Sequence, residues 1–377
     1  MSITVEPVRS GRELHAFVTL PWRLYRHDPQ WIPPLIGDTK KLFDPRHNPF
    51  FEHGDIRPYL ARRDGRVVGR IAAIRNRNHE AFQGEAVGFF GFFECEDDPE
   101  AARALFDAVR AYQREQGLPR FLGPMNPSTN EECGLLVEGF DTPPVVMMTH
   151  ALPYYGGLVE GCGLSKAKDL IAYGVDGYEV PERLERGALI AAERNPEIVV
   201  RPLDKKRFEQ DVEMFRAVYN SAWEKNWGFV PMTAAEIDHM ARQLKPLVDP
   251  GLILIAEHRG KPVGFALGLP DLNQAIKHAN GRLFPFGLLK ILWHARRIHR
   301  ARVLVLGLVK EYRHNGIDVI MYRDFFRHGV KKGYNWGECS WILEDNFAIR
   351  KPLESFGARP YKTYRIYEGR SEGAAAP

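Results

Sequence analysis

The chain has 377 residues, of which 44% are hydrophobic and 27% charged, and its net charge is +4. This length exceeds one ordinary hydrophobic core, so two domains are expected, and so mild a positive charge gives no support for nucleic-acid binding. No apolar run approaches the length of a membrane span, and the N-terminus lacks the apolar core of a signal peptide. The four cysteines have no metal-ligand spacing, so we expect reduced thiols in a cytoplasmic protein and no metal site.

The first half begins with a predicted strand, "ITVEPV", followed by one or two helices. A hairpin is predicted in "YLARRDGRVVGRIAAI", from Tyr59 to Ile74, because its tip carries a glycine flanked by charges. A further strand leads into the helix "DPEAARALFDAVRAYQREQG", where an acidic cap and Pro99 predict the start and Gly117 the end. Strands and helices therefore alternate as in an α+β domain.

A long loop, residues 126–155, follows the next strand. Loops of this length in compact domains are usually functional or disordered, and its methionines and tyrosines argue against disorder. It either lines an acceptor pocket or caps the junction between the domains, and the sequence leaves both readings open. The polar side chains that could line a pocket are Asn130, Glu131, Glu132 and His150.

The second half repeats the first. "IVVRPL" and "LIAEHRGKPVGFALGL" match the opening strand and the hairpin in one register, which makes a duplication more probable than chance similarity between common hairpins. The matched positions are Ile3, Pro7, Ala61, Gly65 and Gly69 with Ile198, Pro202, Ala256, Gly260 and Gly264, and near the ends of the halves Glu160, Gly163, Lys168 and Tyr173 with Glu354, Gly357, Lys362 and Tyr367.

The repeat predicts two α+β domains with a mixed, mostly antiparallel sheet flanked by helices. We place the first domain at residues 1–175, a linker at 176–196, the second domain at 197–368 and a disordered tail at 369–377.

An insertion in the second half, residues 270–302, predicts an amphipathic helix over 282–300. Its apolar stripe is Leu288, Ile291, Leu292, Ala295 and Ile298, its basic residues are Lys290, His294, Arg296, Arg297 and Arg300, and its large rings are Phe284, Phe286 and Trp293. Such a helix either lies in a membrane interface or packs on the protein's own sheet with a solvated basic face.

Beyond this insertion, the strand "RVLVLGL" runs through the turn "VKEYRHNGID" into a helix that ends near Gly333. The first N–H groups of a helix have no internal partner and carry the positive end of its dipole, so they attract anions. Arg313 and His314 add positive charge beside them. The turn predicts an anion site, with a solvated helix start as the alternative.

This turn resembles the GCN5-related N-acetyltransferase (GNAT) superfamily, whose Arg/Gln-x-x-Gly-x-Gly/Ala turn holds the pyrophosphate of coenzyme A. The matching residues are Arg313, His314, Asn315, Gly316, Ile317 and Asp318, and the last of them replaces the small residue of the family. "EDNFAIRKPLESFGA" resembles a second family segment, in which Asn346 would contact the pantetheine arm. Leu353 stands where the family commonly has the tyrosine that protonates the leaving thiolate. The resemblance implies acyl-CoA as co-substrate.

The corresponding turn of the first half, "FFGFFECEDDPE", carries Glu94, Glu96, Asp97 and Asp98. A pyrophosphate there would meet like charge. We therefore expect one acyl-donor site, in the second half, and a degenerate first half that shapes the acceptor cleft.

Acyl transfer to an amine requires a polarised thioester carbonyl and a base for the amine proton. We expect backbone N–H groups near Leu308 and Val309 to polarise the carbonyl. The candidates for the base are Glu344, Asp345, Asp271, Glu132 and His150.

The tandem order and the segments "GPMNPSTNEECGLLVEGFDTPP" and "NWGFVP" resemble the bacterial ceramide synthase family. This resemblance implies transfer of a long acyl chain from acyl-CoA to the amine of a sphingoid base. The expected partners are acyl-CoA, a lipid amine and the inner membrane surface, reached through the 282–300 helix, and no nucleic acid. The alternatives are an acyltransferase for a small amine or aminoacyl-type substrate and a non-catalytic acyl-CoA sensor.

Overall fold

The computed structural model describes residues 2–223 and 226–372. The chain divides into two compact units, each assembled from separate segments. The first unit comprises Met1–Leu170, Ala275–Trp293 and Lys362–Pro377, and the second comprises Ile171–Gln274 and His294–Tyr361.

The strands are β1 (Ile3–Pro7), β2 (Gly54–Arg63), β3 (Arg66–Asn76), β4 (Val87–Cys95), β5 (Arg120–Gly123), β6 (Met125–Asn126), β7 (Glu132–Cys133), β8 (Leu135–Glu138), β9 (Ser165–Asp176), β10 (Ile198–Pro202), β11 (Ile253–His258), β12 (Lys261–Pro270), β13 (Arg300–Leu308), β14 (Trp336–Leu343) and β15 (Arg359–Arg370).

The helices are α1 (Gly11–Thr19), α2 (Pro21–Leu24), α3 (Ile36–Lys41), α4 (Arg77–Gln83), α5 (Pro99–Glu115), α6 (Tyr155–Gly161), α7 (Glu182–Arg194), α8 (Phe208–Trp223), α9 (Ala234–Leu244), α10 (Asn273–Ile276), α11 (Gly287–Ala295), α12 (Ile317–Lys332) and α13 (Phe347–Ser355).

The first unit is built on the strand order β1–β2–β3–β4–β5, antiparallel except for the parallel pair β4–β5. The end of β15 pairs with β5. Helix α5 packs on this sheet through buried side chains that include Leu105, Phe106 and Val109. The helix starts at Asp98, whose side chain accepts a hydrogen bond from the N–H of Ala101.

The second unit has the corresponding order, β10–β11–β12–β13–β14, with β13–β14 as the parallel pair. Side chains alternate between the two faces of a strand. Leu254 and Ala266 pack with Met321 of α12, whereas Phe265 packs against Phe215 of α8 on the other face. The predicted α+β class is confirmed.

The duplication is visible in the strand registers. In the first unit Ile3 lies opposite Arg63 and Ala61 opposite Gly69, with a bulge after Ala61. In the second unit the equivalent pairs are Ile198 with His258 and Ala256 with Gly264, with a bulge after Ala256. Such bulges are specific structural features, so their repetition confirms the internal duplication.

The last strand of each half, β9 or β15, is divided between the two units. Strand β9 begins in the first unit and ends in the second, whereas β15 begins in the second and ends in the first. As a result, the Tyr173 hydroxyl donates to Glu354 within the second unit (2.7 Å), and the Tyr367 hydroxyl donates to Glu160 within the first (3.1 Å). The units therefore differ from the predicted domains 1–175 and 197–368.

The predicted linker at 176–196 contains helix α7 instead. Its apolar residues Leu184, Ala188 and Ala191 recur at helical spacing and are buried, and the last two pack against Ile320 of α12. The predicted tail also differs, because Gly369 and Arg370 belong to β15 and Ser371 is buried. Residues 373–377 of that tail lie outside the described residues.

The helix predicted over 282–300 is shorter in the structure. Helix α11 ends at Ala295, and Arg300 already begins β13, where Ala301 pairs with Pro270. Ile298 thus lies between α11 and β13, and strand pairing with Trp336 removes Arg300 from the predicted helix. Within the described residues, no helix has both the length and the apolar character that a membrane crossing requires.

Candidate active site

Strands β13 and β14 part in the second unit. Their parallel register runs from Arg300 with Trp336 to Val303 with Cys339, whereas β13 continues to Leu308. On the other side of β13, Leu267 pairs with Val305 and Gly268 with Val303, which leaves Leu304 as a bulge. The two strands therefore separate at the bulge. Beyond it, the edge of β13 that faces β14 lies outside the parallel ladder.

Backbone groups on this edge alternate with those that bind β12. The N–H of Val309 donates to the carbonyl of Val263 (2.9 Å), so Val309 does not supply the expected donor to a thioester. By the same alternation, the N–H groups of Leu306 and Leu308 point towards the parted edge. The Arg313 Nε donates to the Leu308 carbonyl (3.1 Å), which agrees with this direction. Leu306 is a donor that sequence reasoning missed.

The turn after β13 has a specific backbone shape. Gly316 adopts φ 81° and ψ 9° immediately before α12, a left-handed conformation that favours glycine. A Cβ at this position would lie 2.9 Å from the Cβ of Ala191 on α7. The Asn195 side chain donates to the Asn315 carbonyl (3.0 Å). The segment predicted as a linker thus supports the turn from behind.

Asp318 lies in the first turn of α12. Burial raises the pKa of its carboxyl, while hydrogen bonds from the N–H groups of Val319 and of Asp318 itself, and the charge of His314, lower it. The net shift is upward. The carboxylate therefore lies beside the first N–H groups of α12, where an anion would bind, and a bound pyrophosphate would compete with it.

The carboxyl ends of the parallel strands β13 and β14 lie at one edge, so the turn and the residues after Leu343 come together. Asn346 precedes α13, and its carbonyl accepts hydrogen bonds from the N–H groups of Ile349 and Arg350. Glu344 is half-buried and its carbonyl accepts from Arg350. Asp345 is exposed.

The other base candidates lie elsewhere. Asp271 follows β12 in the second unit, is buried, and its N–H donates to the Arg300 carbonyl (2.9 Å). Glu132 is exposed on β7 of the first unit. The five candidates therefore do not form one cluster within a unit, since Glu132 and His150 belong to the first and the other three to the second.

His150 forms a buried pair with Asp28 in the first unit. Its side chain is 4% exposed, and its Nε2 lies 2.8 Å from the Asp28 Oδ2. Burial lowers the pKa of His150, although Asp28 opposes the shift. The lowered pKa favours the neutral imidazole, and the Asp28 carboxylate orients the ring. The Nδ1 atom is buried without a hydrogen-bond partner among the described residues.

A buried polar cluster that sequence reasoning missed lies where β13 and β14 part. Arg302 donates to the Ser340 hydroxyl (2.9 Å) and carbonyl (3.1 Å), and Glu338 accepts hydrogen bonds from Ser340 and Tyr361. Arg302 and Glu338 face each other in the parallel register, so the cluster ties the two strands together at their last pairs. The available signal was the presence of Arg302 and Glu338 inside otherwise apolar segments of the two strands.

In the first unit, the equivalent place between β4 and β5 is filled. The parallel register of β4 with β5 ends at Phe89. Beyond it, a Cβ on Gly91 would lie 1.8 Å from the Met125 carbonyl oxygen, and the N–H of Phe92 donates to the Asn126 side chain (2.7 Å). Strand β6 thus fills the parting. At the start of α5, Arg63 pairs with Asp98 (2.8 Å).

Among the described residues, no group of three or more His, Cys, Asp or Glu side chains is arranged to hold a metal ion.

No family model matches this chain. It is 39% identical to "Bacterial ceramide synthase" of Caulobacter vibrioides over 97% of each chain. It is also 37% identical to "Protein YghO" of Escherichia coli K12, over 94% of this chain and 92% of that one.

Solved structures share the fold at low identity. A tandem GNAT protein from the clavulanic acid biosynthesis pathway matches with a TM-score of 0.59, at 11% identity over 99% of this chain and 100% of that one. A GCN5-related N-acetyltransferase from Sphaerobacter thermophilus matches with a TM-score of 0.53, at 12% identity over 98% and 96%. The predicted tandem GNAT architecture is confirmed, and the chain belongs to the family of the bacterial ceramide synthase of Caulobacter vibrioides.

Proposed function

We propose that this chain is an N-acyltransferase that moves a long-chain acyl group from acyl-CoA to the amine of a sphingoid-type lipid. The observation that carries the proposal is the parting of β13 and β14 beside the left-handed Gly316 turn. The parting leaves the end of β13 outside the ladder with β14, so backbone N–H groups there could donate to a thioester, and the turn provides a helix N-terminus for a pyrophosphate. The ceramide synthase relative supports the choice of acceptor.

In this proposal the second unit holds acyl-CoA. The pyrophosphate lies against the turn from Arg313 to Asp318, with the Arg313 and His314 side chains contributing positive charge. The pantetheine arm follows the edge of β13 towards Asn346. The N–H groups of Leu306 and Leu308 then polarise the thioester carbonyl, because they point to the same edge.

The amine attacks the thioester carbon, its proton passes to a base, and the carbon–sulfur bond breaks to release the thiolate of coenzyme A, which takes up a proton. Of the five base candidates we favour Glu344 and Asp345, because they follow β14 at the edge where the turn after β13 also lies.

A lipid acceptor would require access from a membrane surface, and an exposed apolar patch supports this. Phe284 is 81%, Phe286 65% and Leu289 63% exposed, and Leu292 and Trp293 extend the patch. Exposed apolar patches of this kind often mark interaction sites. The chain between residues 272 and 310 contains no Asp or Glu, so its exposed cations, such as Arg296 and Arg297, would attract anionic headgroups.

We therefore propose a cytoplasmic protein that lies peripherally on the inner face of the membrane. Moving a sphingoid chain into water costs about 0.8 kcal/mol per CH₂, and contact with the membrane surface would avoid most of that cost.

The test is to incubate the protein with long-chain acyl-CoA and either a sphingoid base in anionic vesicles or a small soluble polyamine, and to measure free thiol and amide. We expect amide from the lipid amine and vesicle binding that weakens with salt. Amide from the soluble amine alone, without vesicle binding, would contradict the lipid acceptor. Coenzyme A binding without turnover of any amine would indicate a sensor.

A further inference from the structure

The second unit contains an apolar cavity that the proposed donor site does not use. It lies between the sheet and helices α8 and α9, with a volume of about 40 Å³. The side chains that line it are Leu203, Phe208, Asp211, Val212, Phe215, Ile237, Met240, Ala241, Leu244, Val248, Ile253, Phe265 and Leu267. One water-sized group needs roughly 10–15 Å³, so the cavity has room for about three such groups.

The wall of the cavity is chemically uniform. Its one charged residue, Asp211, is 1% exposed, and its carboxylate accepts hydrogen bonds from Arg201 (2.7 Å) and from the N–H of Asp204 (2.8 Å). These donors satisfy the carboxylate, which leaves the cavity without a partner for a polar ligand. Such an apolar lining favours a hydrocarbon group over a polar one.

The cavity lies beside the segment that would hold the thioester. Phe265 and Leu267 form its floor and pair with Gly307 and Val305 on β13. Residues directly opposite in an antiparallel pair project to the same face of the sheet, so Val305 and Gly307 belong to the cavity face. Gly307 has no side chain, so no side chain of β13 covers the sheet next to Phe265 at that position. A chain attached to the thioester therefore has a short path towards the cavity.

We infer that this cavity receives the methyl end of the acyl chain and sets the chain length that the enzyme prefers. The inference rests on the proposed acyl transfer from acyl-CoA. Met240, Ala241 and Leu244 of α9 form one wall and are half-buried, so substitutions there change the depth of the cavity at little cost to the sheet. Each additional buried methylene contributes about 0.8 kcal/mol, or roughly a fourfold gain in binding.

The experiment compares the wild type with Ala241→Phe, which fills the cavity, and Leu244→Ala, which enlarges it. Gln243→Phe is the matched control, because Gln243 lies on the same helix and is exposed. One arm varies the acyl-CoA length with a single amine, and the other varies the amine length with a single acyl-CoA. Thermal melting with and without a sixteen-carbon fatty acid gives a readout that does not need turnover.

We expect Ala241→Phe to shift the preferred acyl chain by about two to four carbons towards shorter chains, with at least a tenfold loss of kcat/KM on the longest. Leu244→Ala should shift it towards longer chains, and Gln243→Phe should leave it unchanged. Ala241→Phe should also abolish the thermal stabilisation by the fatty acid. If Ala241→Phe does not fold, the Leu244→Ala shift decides the question.

An unchanged acyl preference in folded, active variants would overturn the inference, and so would a shift confined to the amine arm. If the wild type transfers no acyl group but the fatty acid stabilises it through Ala241, the proposed transfer fails and the hydrocarbon site stands.

Discussion

Beyond Phe89 in the first unit, the residues from Phe90 to Phe93 are buried and β6 packs into the parting between β4 and β5. At the equivalent place in the second unit, the residues from Leu304 to Gly307 are half-buried. The hairpins that lead to these places have the same register and the same bulge. The comparison shows that the strand ladder and the space at its parting can change independently, since one loop and one capped helix fill that space in the first unit without altering the strands.

The first prediction concerns the base candidates that follow β14 in the second unit. Glu344→Gln should lower kcat by about 100-fold or more, the usual cost of losing a general base, while coenzyme A binding stays unchanged. His150→Gln in the first unit is the comparison variant and should have the smaller effect on kcat. Steady-state kinetics and calorimetric titration test this.

A Glu344→Gln enzyme that keeps its rate would move the role of base to Asp345 or to another of the five candidates.

The second prediction tests whether acyl-CoA binding depends on the second unit alone. Arg313→Glu should weaken acyl-CoA binding about tenfold or more, because it replaces a charge-assisted donor by a repelling carboxylate. The matched control, Asp97→Asn at the exposed turn of the first unit, should leave binding unchanged. Calorimetric titration of both variants is the measurement, and equal losses would refute a single donor site.

The third prediction concerns Asp318, which would oppose a pyrophosphate. Asp318→Asn should tighten acyl-CoA binding several-fold at pH 7, because it removes a negative charge from the start of α12. The raised pKa means that the carboxyl takes up a proton above its ordinary pKa of about 3.9. Wild-type binding should therefore strengthen as the pH falls through that region, and the Asn variant should lack this pH dependence. Weaker binding by the variant would show that Asp318 supports the turn instead.

The smallest expected effect lies at the support behind the turn. Asn195→Ala removes the hydrogen bond to the Asn315 carbonyl and should weaken acyl-CoA binding about two- to fivefold, or ~0.5–1 kcal/mol, which is the lower part of the usual range for one hydrogen bond. Asn195→Asp lacks the donor and serves as a second variant. Thermal melting distinguishes a loosened turn from a destabilised unit, since a large drop in Tm would assign Asn195 a general structural role.

Local patterns in the sequence predicted the hairpins, the duplication and the turn at Gly316, because each depends on residues close together in the chain. The donor on β13 was harder to predict. Which N–H groups point outwards depends on the bulge at Leu304 and the bond from Val309 to Val263, and neither has a sequence signal. The sequence also could not predict that β9 and β15 are each shared between the two units. The repeat makes the two strands equivalent, so either could complete either sheet.

That division of the last strands has a consequence for biosynthesis. A nascent first unit emerges from the ribosome long before residues 362–372, which supply the strand that pairs with β5. Domains of a growing chain generally fold in the order of their synthesis, but the first unit cannot complete its sheet until residues 362–370 have been synthesised, after the second unit. Expression of residues 1–175 alone would therefore leave β5 as an uncovered, aggregation-prone edge.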